Sequence, residues 1–241
     1  MTARAGEVEF QGLQGYVATR ADARAAVLLL PSVGGLDTFS RERARDLAEA
    51  GMATLVWHPY SGQPPVGNLK NALERSQRLT DAGALGEMAV WLDYIKTELG
   101  ISAIGVIGFC MGGRFALLLS AHDRRIAACA AVYPSIYAPR LPNQEEDAVA
   151  VAADIRCPVA MIYPGRDHVM SADSFQSLRA KIERRPQPSV IHYYPEANHA
   201  FMNHAGEVNV TASQVAWPQV VAFLRGCLTP AKMAVGTAPG V

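Results

Sequence analysis

The sequence predicts an α/β protein: one mostly parallel, doubly wound sheet with helices on both faces and an N-terminal hairpin. Three observations carry this reading. Short, continuously apolar runs recur at Val27–Leu30, Ala53–Trp57, Ile104–Phe109, Ile126–Tyr133 and Val159–Tyr163, as strands buried on both faces require. Between them lie stretches with helical spacing or helix-boundary residues. The 241 residues, 50% of them hydrophobic, suffice for one sizeable core, and no repeat or linker divides them. The expected organisation is a single domain over residues 1–228 and a poorly ordered Gly-, Ala- and Pro-containing tail over 229–241.

Each element has a local reason. Two extended pieces around Gly12 and Gly15 form the hairpin within residues 7–20. Val27–Leu30 leads through Pro31-Ser32-Val33-Gly34-Gly35 into a helix from Thr38 to Ala50, which Gly51 ends. Ala53–Trp57 is the next strand, followed by a Pro- and Gly-rich loop. Residues 69–82 are helical in part, with weak periodicity. Ala84–Leu99 carries Leu85, Met88, Leu92 and Ile95 on one face and stops at Gly100. After the strand at Ile126, residues 134–153 read as a loop or lid broken by Pro134, Pro139 and Pro142. A helix over Ser171–Arg184 and a strand over Ser189–Tyr194 follow. The last helix spans Ser213–Leu228, with Pro218 either kinking it or marking a later start near Trp217.

Composition removes several classes of function. Lys plus Arg and Asp plus Glu both number 22, so no basic surface for nucleic acid or membrane is indicated. No run of 18 apolar residues and no secretory signal is found, and a cytoplasmic location is expected. Cys110, Cys129, Cys157 and Cys227 are widely spaced without a CxxC pair, which argues against a zinc site or a disulfide framework. Neither a metal nor an organic cofactor is expected. The expected partner is a small molecule, and the expected state is a monomer or small homo-oligomer.

The chemistry centres on Gly108-Phe109-Cys110-Met111-Gly112-Gly113-Arg114, where an apolar strand turns sharply into an Ala- and Leu-rich helix. This is the pattern of a nucleophile elbow with Cys in place of the more usual Ser. A turn this tight strains its central residue, so close neighbours must lack side chains. Cys110 would then project from the sheet top at a helix N-terminus, where negative charge on sulfur is favoured. The same stretch also suits a packing cysteine in an ordinary strand-turn-helix corner, so the rest of the chain must decide.

In an open parallel sheet, functional residues collect beyond the C-terminal strand ends. That rule selects Ser32 and Val33, Cys110, then Gly165-Arg166-Asp167-His168, then Asn198-His199. His199 is the best base, and Asp167 would hold its tautomer. Their alternatives are a surface histidine and a turn aspartate. The backbone N–H groups of Met111 and Val33 are the expected oxyanion donors. The order nucleophile, acid, histidine is that of α/β-hydrolases.

The elbow, the Gly165-Arg-Asp loop, Asn198-His-Ala-Phe and Gly35-Leu-Asp-x-x-x-Arg together resemble the dienelactone hydrolase (carboxymethylenebutenolidase) family over roughly residues 12–228. The resemblance implies an α/β-hydrolase fold and a Cys-His-Asp triad at Cys110, His199 and Asp167. In that chemistry the thiolate opens an enol-lactone, an enolate leaves and water releases the acid. Three positions depart from the family pattern. A Glu in the loop after the first buried strand is here Ser32, which implies a nucleophile served by His199 alone, or different chemistry. The Arg four residues after the catalytic His, which helps hold a substrate carboxylate, is here Asn203. Pro-Asp-Leu-Tyr after the second strand reads Trp57-His58-Pro59-Tyr60. Arg75 or Arg78 is a candidate for a substitute carboxylate contact, the alternative being a merely solvated surface arginine, and Phe109 and Tyr133 are pocket candidates as much as core residues. Beside ester or lactone hydrolysis stand two alternatives: thioesterase or acyl-transfer chemistry on the same triad, and a redox-sensing or ligand-binding protein that keeps the elbow.

Overall fold

The computed structural model describes residues 4–203 and 206–229. Its frame is an eight-stranded sheet in the order β1-β2-β4-β3-β5-β6-β7-β8. The strands are β1 (Arg4–Phe10), β2 (Leu13–Thr19), β3 (Ala25–Leu30), β4 (Met52–Trp57), β5 (Ile104–Phe109), β6 (Ile126–Val132), β7 (Val159–Arg166) and β8 (Ser189–Asn198). The hairpin β1–β2 and the β2–β4 pair are antiparallel, and all other pairs are parallel. β3, β4 and β5 are buried along their whole length, which explains why they read as unbroken apolar runs rather than as alternation.

The alternation survives as a division of faces. Ala26, Leu28 and Leu30 of β3 join one core with Met88, Trp91 and Leu92 of α3 (Asp81–Thr97) and Leu117 and Leu118 of α4 (Met111–His122). Ala25, Val27 and Leu29 join the other with Ala44 and Leu47 of α1 (Thr38–Glu49) and Val220 and Leu224 of α7 (Glu207–Leu228). Successive residues of a strand point to opposite faces, so six residues of β3 serve two cores. The remaining helices are α2 (Leu69–Ser76), α5 (Ala148–Val151) and α6 (Ala172–Glu183).

Several boundaries differ from the sequence reading. α3 starts at Asp81 rather than Ala84, because the Thr80 hydroxyl accepts the Gly83 N–H and caps the helix there. α7 starts at Glu207 and runs through Pro218, so neither a start at Ser213 nor one near Trp217 holds. Its first turn is anchored where Asn209 Oδ1 accepts the Asn198 N–H at the end of β8. Pro218 is exposed, as is Gln214, whose carbonyl loses its helical donor on the solvent side, where water can replace it. β8 continues to Asn198, so His199 directly follows a strand instead of lying a few residues into a loop. The 134–153 segment contains the short helix α5. The predicted tail, apart from Thr229, lies outside the described residues. Among the described residues, no helix is long and apolar enough to cross a membrane.

Candidate active site

α4 is the most enclosed helix of the fold, with eleven of its twelve residues buried. It starts at a turn that only glycine permits at two positions. A Cβ on Gly108 would lie 1.9 Å from the Gly112 carbonyl oxygen, and one on Gly112 would lie 2.0 Å from the Leu30 carbonyl oxygen. Between them Cys110 takes φ 54°, ψ −113°, a left-handed conformation unfavourable for a residue with a Cβ. The surroundings hold it there: its N–H donates to Val132 O at 3.0 Å, and its carbonyl accepts from Ser135 N–H at 2.9 Å and Arg114 N–H at 3.2 Å.

The ends of β5, β7 and β8 meet at this point. His199 Nε2 lies 3.1 Å from Cys110 Sγ. His199 Nδ1 lies 2.9 and 3.0 Å from the two Asp167 carboxylate oxygens. Asp167 is fixed in turn, because its Oδ1 accepts the N–H groups of Val169 at 2.7 Å and Met170 at 3.0 Å. The three groups are screened from water: the side chain of His199 is 6% exposed and that of Asp167 is fully buried. Burial works against charge on the imidazole, but the hydrogen bonds to Asp167 and Cys110 outweigh it and lift the His199 pKa to about 9.

The N–H groups of Met111 and Val33 find no acceptor among the described residues. The loop that carries Val33 is tied to the elbow, since Gly112 N–H donates to Pro31 O at 3.1 Å. It is tied again from the other side, where Tyr60 Oη donates to Val33 O at 2.9 Å. Met111 and Val33 border one cavity of about 210 Å³, together with Leu73, Phe115, Tyr137 and Leu141. These two free donors, a thiol and a carboxylate-supported imidazole make up the parts needed for acyl transfer.

The other pocket candidates scatter. Tyr133 is buried, its ring centroid 5.5 Å from that of His199 in an edge-to-face arrangement, so it backs the imidazole from the core side. Phe109 is not a pocket residue, because its side chain points to the α1 and α7 face and packs on Phe39 and Trp217. Asn203 is exposed. Arg75 donates to Pro64 O at 2.5 Å and lies 5.8 Å from the Tyr60 ring, and Arg78 is exposed. Neither arginine lines the 210 Å³ cavity. Ser32 is half-buried, and its hydroxyl accepts Gly34 N–H at 3.4 Å within its own loop.

Two features escaped sequence reasoning. Arg114, in the elbow helix, forms a buried two-armed ion pair with Asp81 at 2.6 and 2.8 Å and donates to Glu146 O at 2.7 Å. Asp81 also accepts Glu146 N–H at 2.8 Å, so the pair fastens the segment after β6 to α3 and α4. Burial tends to raise the Asp81 pKa, and the Arg114 and Glu146 hydrogen bonds override it and hold it low. An arginine inside an otherwise apolar helix was the available signal. The second is Tyr137, whose pKa is raised by burial and then by the charges of Cys110 and Asp167.

The Dienelactone hydrolase family profile matches residues 13–228. The chain belongs to the dienelactone hydrolase family. It is therefore an α/β-hydrolase of the ester- and lactone-cleaving class. Among curated proteins it is 29% identical to a carboxymethylenebutenolidase of Rhodococcus opacus, over 84% of this chain and 81% of that protein. It is 24% identical to a probable 2-oxo-3-(5-oxofuran-2-ylidene)propanoate lactonase of a Bradyrhizobium species, over 83% of each chain. Among solved structures, a putative dienelactone hydrolase from Klebsiella pneumoniae superposes with a TM-score of 0.81 at 22% identity, covering 93% of this chain and 99% of that one. That last likeness speaks for the fold alone. Among the described residues, no group of three or more His, Cys, Asp or Glu is arranged to hold a metal ion.

Proposed function

We propose that this dienelactone hydrolase family member cleaves esters or lactones through a thioester on Cys110, with His199 as general base and acid and Asp167 as its orienting group. The observation that carries the reading is the unbroken line of contacts from Asp167 through His199 to Cys110 Sγ, ending on a strained elbow. The proton shared by Cys110 and His199 rests on His199 Nε2, whose pKa lies near 9, as sulfur attacks the carbonyl carbon. The carbonyl oxygen becomes an oxyanion opposite the Met111 and Val33 N–H groups, each contributing about 3 kcal/mol. Collapse breaks the C–O bond, and His199 returns its proton to the leaving oxygen. Water then attacks the thioester, His199 takes its proton, and the acid departs with Cys110 restored. No cofactor enters these steps. Ser32 offers no carboxylate, so His199 alone serves the thiol.

The substrate is a small molecule, and the balanced charge of the chain offers no basis for nucleic-acid binding. A thiol nucleophile and further free thiols at Cys129 and Cys157 suit the reducing cytoplasm. The folded unit is taken as residues 1–228, working as a monomer or small homo-oligomer.

The test compares wild type with Cys110→Ala on p-nitrophenyl acetate and on cis- and trans-dienelactone. Expected are turnover by wild type, loss in the variant of at least about 10³-fold, and one acetyl group on Cys110 by peptide mass spectrometry. Full activity in Cys110→Ala would refute the reading. Oxidation of Cys110 by peroxide in a protein that turns over no ester would replace it with a sensing role.

A further inference from the structure

Two cavities share a wall beside the elbow. The inner one, of about 210 Å³, borders Val33 and Met111; the outer one, of about 610 Å³, is a groove between the segment after β6 and α6. Arg114, Tyr137 and Gln144 line both. Arg114 is fixed by Asp81, and Gln144 is engaged through its backbone and its Oε1, which accepts Leu141 N–H at 3.4 Å. The Tyr137 side chain makes no such bond among the described residues, so it is the part of the wall that can be removed without breaking a network.

The inner wall is electrically neutral. Its one cation, Arg114, has both arms on the Asp81 carboxylate. The Asn143 amide donates to Ser76 O and Leu79 O. Val33, Leu73, Met111, Phe115 and Leu141 supply apolar wall, and Ser76, Gln77 and Ser135 add only uncharged polar groups. A carboxylate entering this space would lose water and meet no free cation among the described residues. Geometry also says which half of an ester sits here. The leaving oxygen must lie by His199 Nε2 to receive its proton, whereas the cavity is bordered on the oxyanion side by Met111 and Val33 and by neither Cys110 nor any residue of the Asp167 or His199 loops. The inner cavity therefore faces the other substituent of the carbonyl carbon.

Resting on the triad reading above, we propose that the inner cavity is an acyl pocket selecting small, uncharged acyl groups, with Tyr137 closing its far end and setting the length limit. Its volume matches the share of about seven liquid waters, room for a short chain. Removing the Tyr137 ring joins the pocket to the outer groove.

The experiment holds p-nitrophenol constant as leaving group and varies the acid: acetate, butyrate, octanoate, and hemisuccinate as the carboxylate-bearing partner of butyrate. In wild type, kcat/KM for butyrate should exceed that for hemisuccinate by about 100-fold and that for octanoate by at least about tenfold. Tyr137→Ala should raise the octanoate-to-acetate ratio about tenfold, and Leu73→Trp, filling the pocket from α2, should lower the butyrate-to-acetate ratio by a similar factor. Should Tyr137→Ala not fold, the Leu73→Trp ratio and the hemisuccinate comparison decide. Hemisuccinate turned over as fast as butyrate, or chain-length ratios unmoved by the folded variants, overturns the pocket assignment. Cys110→Ala separates the two ideas: Cys110-dependent turnover with a flat acyl profile defeats this inference alone, whereas turnover that survives Cys110→Ala defeats the triad reading.

Discussion

Gly112→Ala tests the link between packing and chemistry most directly. In an isolated helix the change would stabilise by about 1 kcal/mol, since Ala has the higher helix propensity. Here the new methyl would sit 2.0 Å from Leu30 O and 2.6 Å from Pro31 O, both backbone atoms. A tolerable contact needs about 1 Å more, and no rotamer change can supply it, so the end of β3 and the start of α4 must separate by that distance. Overpacking of this kind costs up to about 3 kcal/mol, leaving a net loss of about 2 kcal/mol and a fall in Tm of about 5 °C. The same separation stretches the Gly112 N–H to Pro31 O bond, now 3.1 Å, which holds Val33 beside Met111. A misplacement of about 1 Å in the oxyanion donors lowers kcat by about 100-fold. Differential scanning calorimetry and ester kinetics on the same preparation measure both. A variant with wild-type Tm, or one that is destabilised yet keeps kcat within about threefold, would refute the claim that this contact sets the oxyanion geometry.

Three further outcomes are expected. Asp81→Ala leaves the Arg114 guanidinium buried and unpaired and should lose about 3–5 kcal/mol in urea unfolding, while the double replacement Asp81→Leu with Arg114→Met should recover most of it. Asp167→Asn removes the carboxylate that helps raise the His199 pKa; kcat should fall about 10⁴-fold, and the imidazole should titrate lower by NMR. His199 carries its proton in the folded state up to a pKa of about 9, above the 6.5 of an ordinary imidazole. Its contribution to stability, about 3 kcal/mol, is thus complete below pH 6.5 and lost as pH rises through 9, and kcat/KM should decline with an alkaline midpoint near 9. An alkaline limb centred near 6.5 would contradict that assignment.

The elements of the sheet were legible because their signals are local. Val27–Leu30 and Ile104–Phe109 must be apolar at every position once both faces of the sheet are covered, and the glycines of the elbow answer to contacts within a few residues or with the adjacent strand end. Cys110, Asp167 and His199 were legible together because strand ends in a parallel sheet converge by rule, whatever the helices between them contain. The start of α7 was not, since the bond from Asn198 N–H to Asn209 joins two elements that no periodicity connects. Nor was the fate of Phe109, which depended on which face of β5 the elbow turned outward.

By itself the sequence determined the parallel sheet, the tight turn at Cys110 and the order of the groups set on the strand ends, because each is dictated by hydrophobic runs and backbone sterics over short spans. Only the tertiary structure decided the electrical character of the cavity. Arg114 brings a positive charge to the helix of the elbow, and Asp81, 33 residues away in the chain, closes on it with both oxygens. Charge compensation is a property of distance in space, and no spacing along the chain encodes it.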